Sequence, residues 1–111
     1  MQMQLTKHSQ LRMNQRGISH AMAELAYVYG ITCGDKVILN QKAATARLME
    51  ARAEKAALAK SQDEGVRDLA GAMHRMAAIE NEIRNLMKLI DKKGCVLVMV
   101  GNILLTAYGM H

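Results

Sequence analysis

The sequence predicts an α+β fold: a small antiparallel sheet packed by two N-terminal helices and interrupted by an inserted antiparallel helical hairpin. Three observations point there. Two short helical patterns, each with its own capping residue, fill the first thirty residues. Strand-like segments stand at 36–40 and 95–108, far apart in the chain. Between them, 41–93 reads as two long helices.

Taken in order, residues 3–6 add a short edge strand. Thr6 caps a helix over 7–16, its hydroxyl accepting from an orphan N–H of the first turn. Gly17 stands where helices commonly end in a left-handed residue. Ser19 caps a second helix over 20–29. In it Met22, Leu25, Ala26 and Tyr29 recur at i, i+3, i+4 and i+7, one buried face, and Gly30 closes it. Gly34-Asp35 is a turn signal, and Lys36–Asn40 reads as a strand. Residues 42–60, rich in Ala, Lys, Arg and Glu, form a helix. Ser61–Gly65 is expected as a polar loop, and 66–91 as a second long helix. Its Leu69, Met73, Met76, Ile79, Ile83, Leu86 and Ile90 make a continuous apolar stripe. Helices joined by so short a loop lie antiparallel. Lys92-Lys93-Gly94 ends this hairpin. Cys95–Val100 is apolar at every position, as expected of a strand covered on both faces. Gly101-Asn102 is read as a two-residue turn of positive-φ residues, and Ile103–Tyr108 as the returning strand. The expectation is one domain over 1–111: a body of 1–40 and 94–111, with 41–93 inserted.

Half of the 111 residues are apolar and 23% are charged, a globular balance. No apolar run is long enough to span a bilayer and no secretory leader pattern is visible, so a cytoplasmic protein without membrane contact is expected. Cys33 and Cys95 form no CxxC pair and are expected as buried thiols. There is no Pro, Phe or Trp, so Leu, Ile, Val, Ala and ten Met must build the core. No GxxxxGK[ST], GxGxxG or HExxH appears; no metal and no cofactor are expected.

Charge is unevenly placed. Residues 1–20 carry +3, residues 92–111 carry +2, and 21–91 balance to zero. If the two ends meet, Lys7, Arg12, Arg16, Lys92 and Lys93 make one positive patch, and a polyanion is its natural partner. His8, Arg12 and Arg16 are spaced i, i+4, i+8, which sets them on one helix face about 40° apart. Such a stripe is either a solvated face or an anion site. In the second case the Arg forks bind phosphate oxygens and the His moves a proton near neutral pH. His20 and His74 read as surface residues, and Met73, Met76 and Met87 as core or interface.

The segment Thr6-Lys7-His8-Ser9-Gln10-Leu11-Arg12-Met13-Asn14-Gln15-Arg16-Gly17-Ile18-Ser19 resembles the signature T-x-H-A-x-x-R-M-x-x-R-G-I-S. That signature opens a family of small bacterial and phage domains grouped with RelE-like toxins and barnase-like ribonucleases. Thr106-Ala107-Tyr108 matches the T-x-Y of the family's last strand. The resemblance covers residues 1–40 and 95–111, 57 of 111. Ser9 stands where the family has Ala, and the 41–93 insertion departs from its pattern.

The resemblance implies a RelE/barnase-like fold and a metal-independent endoribonuclease, a toxin paired with an antitoxin. In such chemistry the ribose 2′-OH attacks the phosphate. His8 would then be the acid or base, Arg12 and Arg16 the phosphate clamps, and Thr106 and Tyr108, on one strand face, would orient the phosphate. His111 is a second candidate proton carrier. RNA contacts are expected at Lys7, Arg12, Arg16, Lys92 and Lys93. RNA, an antitoxin or other protein, and a second copy docked through the 66–91 helix are the expected partners. The alternative is a non-catalytic interaction module that uses the helical hairpin, or a nucleic-acid-binding regulator of phage or plasmid origin. With Tyr27, Tyr29 and Tyr108 as the only aromatics, phosphate contacts rather than base stacking would dominate.

Overall fold

A computed structural model of the chain describes residues 3–63 and 69–110. The order is β1 (Gln4–Leu5), α1 (Lys7–Gln15), α2 (His20–Tyr29), β2 (Ile31–Cys33), β3 (Lys36–Asn40), α3 (Gln41–Asp63), α4 (Leu69–Asp91), β4 (Gly94–Val100) and β5 (Ile103–Gly109). The described elements make an α+β architecture on one five-stranded sheet of order β1-β5-β4-β3-β2. The sheet, expected to be mostly antiparallel, is mixed: at its edge β1 pairs with β5 in parallel, Gln4 opposite Ile103 and Leu5 opposite Leu104. The other pairs are antiparallel.

Local signals set the helix ends. Thr6 Oγ1 accepts from the Ser9 N–H at 3.0 Å, and Ser9 Oγ accepts from the Thr6 N–H at 2.9 Å. Ser9 thus completes a reciprocal capping box with Thr6. At the other end of α1, Gly17 takes φ +69°, Ile18 N–H donates to Met13 O, and Gly17 N–H donates to Asn14 O. This is the Schellman arrangement, sealed by buried Met13 and Ile18. Ser19 caps α2 through the Met22 N–H. Asn40 Oδ1 accepts from the Ala43 N–H and opens α3 directly out of β3.

Several expectations are corrected. Ile31–Cys33 forms β2, a strand too short to display a period. Helix α3 continues through Asp63, so the polar loop expected from Ser61 does not begin there; Ser, Gln and Asp are polar but do not break a helix end. The rest of that loop, and the start of the expected 66–91 helix, fall in 64–68, outside the described residues. In the Gly101-Asn102 turn only Gly101 has positive φ, at 59°. Cys33 is exposed, and only Cys95 is a buried thiol.

Helices α3 and α4 run antiparallel along each other, shown by Gln41 Nε2 to Ile90 O at 3.2 Å, Arg47 to Glu82 at 2.7 Å and Lys55 to Glu80 at 3.6 Å. The stripe on α4 turns toward the protein's own core. Ile79 and Leu86 are buried there, and Met76, Ile83 and Ile90 pack against it, while Met73 and Met87 are exposed.

One apolar cluster gathers Met13 of α1, Met22 of α2, Leu48 of α3 and Leu86 of α4 with the inward strand residues Val37, Leu39, Cys95, Leu97, Met99, Leu104 and Ala107. A bulge in β5 opposite Val98 and Met99 lets both Leu104 and Ala107 face this cluster. The helices therefore share one sheet face. On the other lie Ile38, Val96, Val98, Thr106 and Tyr108, paired across strands and absent from the cluster. The expectation that β4 is covered on both faces holds along its first half, where Cys95, Val96 and Leu97 are all buried, and is corrected at its end, where Val98 is half-buried and Val100 exposed. Apolar β-branched residues suit a pleated surface whether or not a second layer covers it.

Candidate functional site

The two basic ends of the chain meet where the C-terminus of α1 lies against β5. Arg16 reaches out of the Schellman turn, and its Nη1 donates to Thr106 Oγ1 at 2.9 Å and to Ala107 O at 3.0 Å. Lys92, just past α4, donates from Nζ to Arg16 O at 2.9 Å. The Met110 N–H donates to Lys92 O at 3.1 Å and ties the end of β5 to the same corner. A cavity of about 450 Å³ lined by Gly17, Lys88, Asp91 and Lys92 adjoins it.

This geometry leaves Arg16 half committed. A guanidinium carries five N–H donors, and Nη1 holds two of them. The Nε–H and both Nη2 hydrogens have no partner among the described residues. That edge of the fork is the one that grips a carboxylate or phosphate with two parallel bonds. Anchoring by Thr106 and Ala107 fixes the orientation of the fork before an anion arrives.

The other expected site residues are distributed along the same edge. Buried Ser9 and Met13 turn toward the core, and His8, Arg12 and Arg16 are exposed along the neighbouring face of α1 and its end, with Arg16 the one bonded to β5. His8 is two helical turns from Arg16, about 12 Å of rise. The contacts bring together Arg16, Thr106 and Lys92, and they do not bring His8 into that group. Tyr108 is half-buried, shares the outward sheet face with Thr106, and its hydroxyl makes no hydrogen bond among the described residues. Lys7 and Lys93 are exposed. His111 lies outside the described residues. His20 pairs with Glu24 at 3.2 Å on the surface, and His74 is exposed, both as expected.

A second polar centre was not legible beforehand. Arg47 of α3 donates from Nη2 to Glu82 at 2.7 Å and from Nη1 to Glu54 at 3.0 Å, and sits 5.0 Å from the Tyr29 ring. Tyr29 OH donates to Glu82 at 2.8 Å. The hydrogen bonds to Glu82 and Glu54 push the Arg47 guanidinium further into its charged form. Burial, then the bond to Glu82, raises the Tyr29 phenol above 10.0. Burial pushes the Cys95 thiol up to about 11. The signal for Glu82 was its position between Ile79 and Leu86, on the flank of the apolar stripe.

Among the described residues no group of His, Cys, Asp and Glu is arranged to hold a metal ion, and no helix is long and apolar enough to cross a membrane. No family model, no curated protein and no solved structure matches the chain.

Proposed function

We propose that this protein binds RNA by its phosphate backbone along the α1–β5 edge, as a member of the RelE/barnase-like group its opening segment resembles. The observation that carries the reading is the Arg16 fork. It is fixed by Thr106 and Ala107 on one side and open on the other, beside Lys92. His8, Arg12 and Arg16 continue the edge for about 12 Å. That is longer than one phosphate and suits a track of several, since neighbours on a duplex strand are about 3.4 Å apart in rise.

Cleavage by 2′-OH attack is the second reading, favoured by one feature. The Tyr108 hydroxyl and the Thr106 side chain share the strand face beside an anchored guanidinium, a setting that can orient a phosphodiester and stabilise its growing charge. His8 would serve as acid or base only for a substrate that spans the edge.

The test pairs two assays on one RNA oligonucleotide. Binding measured by fluorescence anisotropy should weaken with salt and drop in Arg16→Ala, while Arg16→Lys restores it only in part because an ammonium has no fork. Cleavage measured on gels in the presence of a chelator should vanish in His8→Ala and Tyr108→Phe if the second reading holds. Binding that Arg16→Ala leaves intact would remove the proposal. Intact binding with no cleavage by the native chain would remove the second reading alone.

A further inference from the structure

The described helices leave one face of the sheet without a second layer, and the side chains of that face are mostly apolar. One cross-strand row runs Ile31, Ile38, Val96, Tyr108, the next Lys36, Val98, Thr106, and Val100 pairs with Ile103 beyond them. Leu105, next in the chain to inward Leu104, falls on the same face. Ile31 is 69% exposed and Val100 59%; Ile103 and Leu105 are exposed too, and Ile38, Val98 and Tyr108 are half-buried. Of the ten large apolar side chains exposed among the described residues, these four share one face. The other six are spread over the four helices and position 110. Monomeric proteins rarely leave so continuous an apolar patch in water.

Area, width and charge together say what covers it. The chain exposes 7084 Å², against about 6,100 Å² expected of a compact monomer of 12.3 kDa. The surplus, about 1,000 Å², exceeds the roughly 800 Å² that each partner buries in an interface of standard size. Five strands about 4.8 Å apart make the face about 19 Å wide. One docked helix, about 10 Å across, leaves half of it bare, whereas a second sheet matches its width. Among the described strand residues on this face, Lys36 alone is charged, and it lies beside the edge strand β2, where its long stem can carry the ammonium to the rim. Two copies of the face therefore meet without opposed charges at the centre. RNA finds no row of cations there and a single aromatic ring, Tyr108.

We infer that the protein is a two-fold dimer packed sheet face to sheet face, with Val98, Val100 and Leu105 of both copies at the seam. The same patch serves both chains, and the two sheets lie about 10 Å apart. This surface replaces the α4 stripe as the dimer contact, because that stripe is spent on the protein's own core. The inference does not rest on RNA binding at the α1–β5 edge. It does place Tyr108 in the covered layer, so cleavage at Tyr108 would require the separated chain.

The test is sedimentation velocity on the nuclease-treated full chain over about 1 to 100 µM, with thermal melting at both ends of the series. The native chain should pass from monomer to dimer with a dissociation constant of about a micromolar or tighter, and its melting temperature should rise with concentration. Val100→Glu and Leu105→Glu, at exposed positions that the single chain tolerates, should each weaken association about a hundredfold or more, because the symmetry sets each new charge in the interface twice. Their melting temperatures should no longer depend on concentration. Met73→Glu and Met87→Glu, exposed on α4, should leave the dimer intact. The inference is overturned if the native chain stays monomeric throughout, or if it dimerises only when RNA is added back. It is equally overturned if the sheet-face variants associate as the native chain does, if the α4 variants are the ones that separate the copies, or if the mass of the complex shows a polypeptide of another sequence in place of the second copy. Because the assay contains no RNA, none of these outcomes bears on the Arg16 edge.

Discussion

At Arg16 a single side chain serves both fold and candidate function. Removing it leaves the Thr106 hydroxyl and the Ala107 carbonyl without their shared donor, so Arg16→Ala should lower stability by about 1 kcal/mol, read from urea unfolding. The cysteines differ in the same residue-level way. In the folded chain Cys33 should react with an alkylating reagent and Cys95 should not, until denaturant exposes it. Their environments also set an alkaline limit. The folded chain holds the Cys95 proton up to about 11, against 9.0 for an ordinary thiol. Protons are then bound more tightly in the native state, so this contribution is complete below about pH 9 and is lost as pH rises toward 11. The raised Tyr29 phenol acts in the same direction above 10.0. Melting temperature should therefore fall across that interval, and Cys95→Ala, though less stable throughout, should show a shallower fall.

Elements show where sequence signals suffice. The caps at Thr6 and Ser19 and the left-handed Gly17 were readable because each rests on a few consecutive residues. Thr6→Ala should destabilise the protein by about 1 kcal/mol, and Ser9→Ala should also destabilise it, because each removes half of one reciprocal pair. Alanine at position 9 forgoes the bond to the Thr6 N–H. By contrast, the Arg47–Glu82–Tyr29 network joins three helices whose approach no local pattern encodes. Glu82→Ala leaves the Arg47 Nη2 and the Tyr29 hydroxyl without their shared acceptor, while Arg47 keeps Glu54, and should cost about 2 kcal/mol. Glu80→Ala, whose pair with Lys55 is half-exposed at 3.6 Å, should cost almost nothing by the same measurement. In the linear sequence these two glutamates look alike; burial separates them.

For the whole molecule, the governing feature is that charge and layers are segregated. The four described helices cover one sheet face, and Arg16 and Lys92, one from each basic end of the chain, meet where α1, β5 and the end of α4 come together. If that edge carries RNA, log affinity should fall linearly with log salt, and each of Arg12→Ala and Arg16→Ala should make the slope shallower by about 0.7 for a single strand. A substitution at exposed Arg52 of α3, inside the electroneutral segment, should leave the slope unchanged.

Chain order alone was enough for the α+β class, the capped helices and the short first strand, because these follow from short-range propensity and apolar period. Folding in three dimensions settled the rest. It brought the two basic ends together at Arg16 and Lys92, left one sheet face without a described helix, buried one cysteine and exposed the other, anchored one arm of Arg16 while leaving its fork open, and joined Arg47, Glu82 and Tyr29 from three helices. Each of these depends on which distant groups become neighbours, and burial and pairing are properties of that neighbourhood rather than of any residue's place in the chain.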